Sequence, residues 1–481
     1  MTETAKKKDL LPIHILIMLA LIIGFHFVPP TAGITQGGMN LIGIFLAMLY
    51  GWTFCDLLWV SMLGIVAMAF CGVVTLPEFL VMGFGSDTLV YILFIFFFTG
   101  VISDVGLIDY ISNKMISFKF LTNRPWLFST FIIIGSFISS AFINMFAALI
   151  VFWEIIFIVS ERFGFKQMEK WPTLMILGVA MTSIIGGAVM PYKPVPMVVL
   201  STYSEAAGVP MDFAKYILFA LPVTFLVMMF YMLLCCFVFR PDLKDLIHIS
   251  VDFADPTKLH LDKKQKVAIV FLLVFIFMMV APSILPDGFF LKTFISALGN
   301  SGTIFLLLVV MFWVKFDGEP MANFAKLAKY ANYDMWVTMC FVIPFASVFT
   351  SDATGIKDTI VATMHPLLAG KSEMIFIVLA IAIATILTNV ANNIVIGAVF
   401  VTLIVTIGGS MGMEVAPVVA ILSLAVNLAF ATPAACPNMA MTFALKDWVR
   451  AVDLYKYATL TVFFCLVFLL VVALPWANIV Y

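Results

Sequence analysis

Apolar stretches recur along the whole chain with only short polar breaks between them. The first runs from Leu10 to Val28 and ends at Pro29-Pro30. Others cover 39–54, 57–75, 88–103, 127–160, 173–190, 195–201, 215–239, 267–285, 302–314, 335–350, 374–408, 415–442 and 458–480. A membrane-spanning helix needs about 20 apolar residues, and several runs have the wrong length for a simple span. The 16-residue runs 88–103 and 335–350 are short enough to be halves of re-entrant hairpins. The runs 127–160 and 374–408 reach about 35 residues, or ~50 Å of helix against a hydrocarbon core of ~30 Å. Such a segment must tilt strongly, extend outside the membrane, or break.

Composition reinforces the pattern. Of 481 residues 63% are hydrophobic and 11% charged, where soluble domains carry about 25% charged residues. Mean hydropathy is +1.14. A chain this apolar has too little polar surface to cover itself in water. Net charge is −1, so no basic surface suggests nucleic acid. The seven cysteines form no C-x-x-C pair, and the adjacent Cys235 and Cys236 read as small hydrophobes within an apolar run. His14, His26, His248, His260 and His365 are too scattered to suggest a metal site.

Charge distribution sets the expected topology. Residues 1–9 carry Lys6-Lys7-Lys8 ahead of the first run, no A-x-A cleavage pattern follows, and the run is read as a retained helix with a cytoplasmic tail. The only long polar stretch, 240–266, holds Arg240, Lys244, Lys258, Lys263, Lys264 and Lys266 and is expected on the cytoplasmic side. It divides the chain into a first membrane repeat with an extra N-terminal helix, 10–239, and a second, 267–481.

The two parts share landmarks in the same order. Asp87 opens a run that ends at Asp104, and Asp334 opens one that ends at Asp352. Asn144 and Asn389 interrupt the two overlong runs, 245 positions apart. Gly186-Gly187 and Ala431-Thr432 follow at the same offset. Internal repeats are typical of secondary transporters; inversion would require an odd number of spans per repeat, which spacing alone does not count.

The polar interruptions are the candidate chemistry. Thr388-Asn389-Val390-Ala391-Asn392-Asn393 lies in a run without charged side chains, and Ser139-Ser140-Ala141-Phe142-Ile143-Asn144 is its counterpart. Amides at membrane depth are costly unless paired. They serve either as glue between packed helices or at a helix break, where carbonyls hold a cation and a helix N-terminus receives an anion. The segments from Gly186 to Pro196 and from Ala431 to Pro437 are poor helix material. They are either breaks enclosed by protein or interhelix loops at the surface.

At these residues the sequence resembles the divalent anion:sodium symporter family of the ion transporter superfamily, over about Pro29 to Ala473. The order matches: Gly33-Ile34-Thr35, a hairpin, a break, Gly-Gly; then a second hairpin, a second break, Ala-Thr-Pro. The family's two Ser-Asn-Thr motifs fall on Asn144-Met145-Phe146, which keeps no residue in place, and on Thr388-Asn389-Val390, which keeps the Asn. The resemblance implies a first sodium site at Ser140, Asn144, Gly186 and Gly187. It implies a second at Asn389, the backbone from Thr385 to Thr388, and Ala431. Substrate contacts would come from Asn144, Thr388, Asn389, Thr432 and Pro433. Phe146 and Val390 cannot donate a hydrogen bond to a carboxylate. Lys193 either supplies a fixed charge in place of the first ion, pairs with an anionic substrate, caps a surface loop or snorkels to headgroups.

The expected architecture is therefore an all-α polytopic membrane protein of about 11 transmembrane helices, with two repeats taken as inverted, re-entrant hairpins and broken helices. The expected function is secondary transport of small organic anions of di- or tricarboxylate type, by cation-coupled symport or exchange, in the inner membrane. The resemblance further implies a homodimer, an elevator-type mechanism, sodium as the possible coupling ion and no other cofactor. A cation/proton antiporter or inorganic oxyanion transporter of the same superfamily is the near alternative. A channel would need a continuous polar pore lining. A membrane enzyme would need an acid/base, nucleophile or metal cluster, and none is present at ligand spacing.

Overall fold

The computed structural model describes residues 3–31, 33–246, 258–323, 327–349, 351–356, 358–359, 362 and 373–481. Within them nineteen α-helices run in order. The first six are α1 (Glu3–His26), α2 (Gln36–Phe54), α3 (Leu58–Ala67), α4 (Leu76–Phe84), α5 (Asp87–Asp104) and α6 (Leu107–Ile116). Then come α7 (Pro125–Phe142), α8 (Met145–Arg162), α9 (Lys170–Gly186), α10 (Pro194–Ala207) and α11 (Phe213–Leu234). After the polar stretch follow α12 (Lys263–Ile284), α13 (Phe290–Trp313) and α14 (Tyr333–Phe349). The last five are α15 (Glu373–Thr388), α16 (Asn393–Ser410), α17 (Val415–Ala425), α18 (Pro437–Ala444) and α19 (Ala451–Val480). A two-stranded hairpin, β1 (Lys315–Phe316) and β2 (Glu319–Pro320), follows α13. Among the described residues seven helices are long and apolar enough to cross a membrane, and six shorter apolar helices accompany them.

Helix starts follow local chemistry. Thr75 and Glu78 form a reciprocal capping box at α4, and Asp262 and Gln265 do the same at α12. Asp212 caps α11, Asn144 caps α8 and Asn392 caps α16. Residues 3–9 belong to α1, and the polar stretch 240–266 contributes its last residues to α12; its positions 247–257 lie outside the described residues.

Each overlong run is a helical hairpin. Helix α7 runs parallel to α9, with Trp171 Nε1 donating to Ser129 Oγ at 3.0 Å near one end and Ser140 meeting Ser183 near the other. Helix α8 runs the opposite way along α9: Met145 lies by Gly187, and Trp153 Nε1 donates to Ile176 O at 3.2 Å. So α7 and α8 lie side by side and antiparallel, with the tip at Ile143-Asn144. The second pair is built alike, since Gly408 near the end of α16 sits against Phe376 near the start of α15. Its tip spans Asn389 to Asn392. The runs expected to be hairpin halves, 88–103 and 335–350, instead form the continuous helices α5 and α14. Length misled there. A 35-residue run folds back because its central Asn offers a side-chain acceptor that starts a new helix.

The Pro- and Gly-rich segments are the breaks. Helix α9 stops at Gly186 and α10 starts at Pro194; α17 stops at Ala425 and α18 starts at Pro437. Every residue from Trp171 to Leu200 is buried, as are Val426 to Ala431. This removes the surface-loop reading for the first break; in the second, Thr432 and Pro433 are half-buried and Ala434 is exposed. Buried non-helical backbone must find partners, and these segments find them in side chains.

The repeats are inverted. Helices α11 and α19 occupy the same place in the two repeats, each following a hairpin and a broken helix. They run antiparallel: Trp476 Nε1 donates to Leu218 O at 3.2 Å at one end, Phe230 stacks on Phe468 at 4.3 Å, and Phe239 meets Tyr457 at 5.1 Å at the other.

Packing sorts the helices into two bundles, each drawn from both repeats. One holds α1–α5 and α12–α14, tied by the chain Trp52 to Ser61 to Thr338 at 3.0 Å per step and by Ser301 Oγ to Asp87 O at 3.0 Å. The other holds α7–α11 and α15–α19. They meet where α10 and α16 face α14, and where α11 faces α12. Helix α6 crosses from one to the other and packs on α7 and α8.

Candidate functional site

The first hairpin tip is built from opposed helix ends. Ile143 closes α7 and Asn144 opens α8, its Oδ1 accepting from the backbone N–H of Phe146 at 2.9 Å and Ala147 at 3.0 Å. A carbonyl end carrying partial negative charge and an N–H end carrying partial positive charge thus sit side by side. The break after α9 folds onto this tip. Tyr192 Oη donates to Phe142 O at 3.1 Å, and Lys193 Nζ donates to Ile143 O at 2.9 Å. Lys193 is 5% exposed, and no carboxylate lies within ion-pair distance of it among the described residues. Ser140 Oγ donates to Ser183 O, and Tyr216 Oη donates to Ala188 O at 2.7 Å.

Gly186 allows the close approach. A Cβ there would lie 2.9 Å from Phe137 O, 3.0 Å from Ser140 Cβ and 3.2 Å from Ala141 N, all on α7. Gly187 has no such crowding from α7; its nearest outside neighbour is Met145 Sδ at 3.7 Å.

A cavity of about 410 Å³ opens beside the tip. Its walls are Ile95, Phe96 and Thr99 of α5, residues 143–146 of the tip, Tyr192 to Pro194, and Tyr330 to Asp334 leading into the first turn of α14. It therefore lies between the two bundles. The N-terminus of α8, the N-terminus of α10 and the Lys193 ammonium converge on it.

The second tip is sewn to the second break. Asn389 Nδ2 donates to Thr385 O at 2.8 Å and Leu428 O at 2.9 Å, and its Oδ1 accepts from Ala431 N at 2.7 Å. Thr388 Oγ1 donates to Val426 O at 3.0 Å, Thr432 Oγ1 donates to Asn389 O, and Thr385 Oγ1 donates to Ile381 O at 2.8 Å. Thr388, Asn389, Thr432 and Ala431 are thus brought together; Pro433 follows Thr432 in the break, half-buried. The helices flanking the two breaks also touch, through Asn438 Nδ2 of α18 donating to Ser183 Oγ of α9 at 2.7 Å.

Ser140, Asn144, Gly186 and Lys193 gather at the first tip, and Thr385, Thr388, Asn389 and Ala431 at the second. Tyr192, Tyr216, Ser183 and Asn438 escaped sequence reasoning. Asn438 carried a readable signal, an amide directly after Pro437 in an apolar stretch; the tyrosines carried none, since their role depends on which carbonyl a break leaves open.

A family model described as citrate transporter (CitMHS) matches residues 44–427. The chain belongs to the citrate transporter family. That family sits in the ion transporter superfamily, to which the resemblance read from motif order also pointed. The match makes this chain a multi-pass membrane transporter. Among solved structures, the YdaH transporter of Alcanivorax borkumensis, reported to have an unusual topology, is similar at 12% identity. The similarity covers 92% of this chain and 98% of that one, with a TM-score of 0.58. At that identity the likeness concerns the fold. No curated protein matches the sequence. In this citrate transporter family member, the 410 Å³ cavity at the first tip is the place where the Lys193 side chain and the α8 N-terminus face the bundle interface, with Asp334 also in its lining.

Proposed function

We propose that this protein is a secondary active transporter of citrate or a closely related di- or tricarboxylate, binding its anion in the cavity at the first hairpin tip. The observation that carries the reading is Lys193, a buried cation with a single carbonyl partner, at the edge of that cavity. A buried charge without a counter-charge is costly. An incoming carboxylate would supply the missing partner, and Asn144 together with the α8 N-terminus would hold a second carboxylate. Thr388, Asn389 and Thr432 would present the second tip to the same anion across the Asn438–Ser183 contact.

The geometry argues against sodium at the first tip. Asn144 Oδ1 already takes two N–H groups, and the Lys193 ammonium stands on the tip carbonyl. Lys193 takes the place of that ion. At the second tip the carbonyls of Thr385, Val426 and Leu428 each accept one side-chain hydrogen bond and keep a second lone pair, so a cation remains compatible there. Coupling would come from movement of the hairpin bundle against the other, in the elevator manner, within a homodimer of the inner membrane. The Lys6-Lys7-Lys8 cluster and the basic stretch 240–266 favour a cytoplasmic N-terminus.

The test is uptake of radiolabelled citrate, succinate and sulfate into proteoliposomes, with and without a sodium gradient. Sodium-stimulated citrate uptake supports symport. Sodium-independent counterflow supports exchange with Lys193 as the built-in charge. Transport of sulfate alone would overturn the carboxylate reading.

A further inference from the structure

A second polar cavity lies across the same bundle interface, away from both hairpin tips. It encloses about 180 Å³ between α10, α14 and α16. Thr202 and Glu205 reach it from α10, Ser347 from α14, and Thr402 and Thr406 from α16. At ~1.5 Å per residue, Glu205 stands ~18 Å along α10 from Lys193, so this is not the anion cavity seen from another side.

Two details mark it as a binding site. Thr202 is 3% exposed, yet its Oγ1 has no hydrogen-bond partner. A threonine inside a helix ordinarily gives its hydrogen to the carbonyl four residues back, as Thr402 does to Ala398 O at 3.1 Å. A buried hydroxyl without a partner costs free energy and here faces a polar space. Glu205, on the exposed rim one turn away, has no basic partner within ion-pair distance among the described residues.

We propose that this cavity binds an alkali-metal cation of sodium's size, with the Glu205 carboxylate supplying the charge and the Thr202 and Thr402 hydroxyls supplying neutral oxygen ligands. Hard cations take oxygen ligands, and one carboxylate balances one positive charge. The volume holds about six waters at ~30 Å³ each, enough for a partly hydrated ion. A tricarboxylate would be repelled by Glu205. The proposed ligands come from α10 and α16 of one bundle, and Ser347 of α14 in the other bundle closes a wall of the cavity, so sliding one bundle along the other would take Ser347 away from Thr202 and Glu205 and open the site. An ion that binds one arrangement better than the other shifts the equilibrium between them. That gives a coupling route separate from the second hairpin tip, and it rests on the transport reading above.

The test is equilibrium binding of radioactive sodium to the purified full-length protein without substrate, each variant first matched to wild type by size-exclusion profile. Glu205→Gln is expected to weaken sodium binding about tenfold or more, and Thr202→Val by severalfold. Thr202→Ser, which restores the hydroxyl, should recover wild-type affinity; it keeps the test decisive if Glu205→Gln does not fold. Wild-type affinity in Glu205→Gln and Thr202→Val overturns the site, as does sodium binding lost only in Asn389→Ala. A wild type that binds sodium through Glu205 but carries no carboxylate would refute the substrate reading and leave this site standing. Citrate transport with no sodium affinity in any form would do the reverse.

Discussion

Replacing Lys193 by methionine separates binding from stability, because the two should move in opposite directions. The side chain is 5% exposed and, among the described residues, bonded only to Ile143 O. Two unit charges ~4 Å apart interact by about 4 kcal/mol at an effective dielectric of ~20. Allowing for desolvation already incurred by the cavity, loss of ~2.7 kcal/mol, or about 100-fold in citrate affinity, is the working expectation. The empty protein should lose nothing, since exchanging an unpaired buried charge for an apolar group of similar length is neutral or stabilising by ~1–4 kcal/mol. The lost hydrogen bond to Ile143 O offsets ~1 kcal/mol of that gain. A thermal-shift titration reads both effects. At citrate 100 times the wild-type Kd, the wild type gains ~2.7 kcal/mol of stability while a variant bound 100-fold more weakly gains only ~0.4 kcal/mol. If Lys193→Met keeps wild-type citrate affinity and the ligand-free protein melts far earlier, Lys193 is a structural tie between break and tip, and the anion assignment fails.

Asn389→Ala leaves Ala431 N–H, Leu428 O and Thr385 O without their partner in a buried setting. At ~1–3 kcal/mol per unsatisfied group it should cost ~3 kcal/mol or more, read as early thermal aggregation and lost uptake; a wild-type melting curve would refute the stitched second tip. Gly186→Ala puts a Cβ against the α7 backbone at 2.9 Å. An overpacking cost of ~1–3 kcal/mol and lost uptake are expected, while Gly187→Ala should be milder; equal effects would remove the close-approach argument. At α4, bonds from the backbone N–H and hydroxyl of Thr75 hold the Glu78 carboxyl below its usual range. Its support for the helix is therefore full above the unfolded carboxyl value, about 4.3, and fades as pH falls through the lowered folded value. Amide exchange at the start of α4 should speed up relative to wild type in Glu78→Gln at neutral pH, with the difference vanishing in acid; a difference that grows in acid would contradict the sign.

Much of the architecture was legible because a membrane leaves few choices. Runs of apolar residues could only be helices, and Asn144 and Asn389 announced the repeat because amides in such runs need a reason. What length could not convey was which runs fold back. Segments 88–103 and 335–350 looked like hairpin halves, yet α5 and α14 run through them unbroken. Runs 127–160 and 374–408 looked like broken spans, yet they double over. The difference lies in the capping role of the asparagine at each tip: Asn144 and Asn392 accept from the next helix's free N–H groups and so start a limb that returns along the first. Direction was hidden for the same reason, since inversion appears only when α11 and α19 meet end to opposite end.

The site followed a similar rule. Every residue singled out near the two Asn positions lies at a tip or a break, because unpaired backbone at membrane depth has to gather polar side chains around it. Tyr192 and Tyr216 could not be found from spacing, as each serves a carbonyl whose exposure is a product of the break's own shape. Lys193 is the exception that makes the function readable. Tyrosine, serine and asparagine would have satisfied Ile143 O without charge, and at far lower desolvation cost. A lysine held there, facing the bundle interface with no carboxylate within ion-pair distance among the described residues, serves the fold poorly and an anion well.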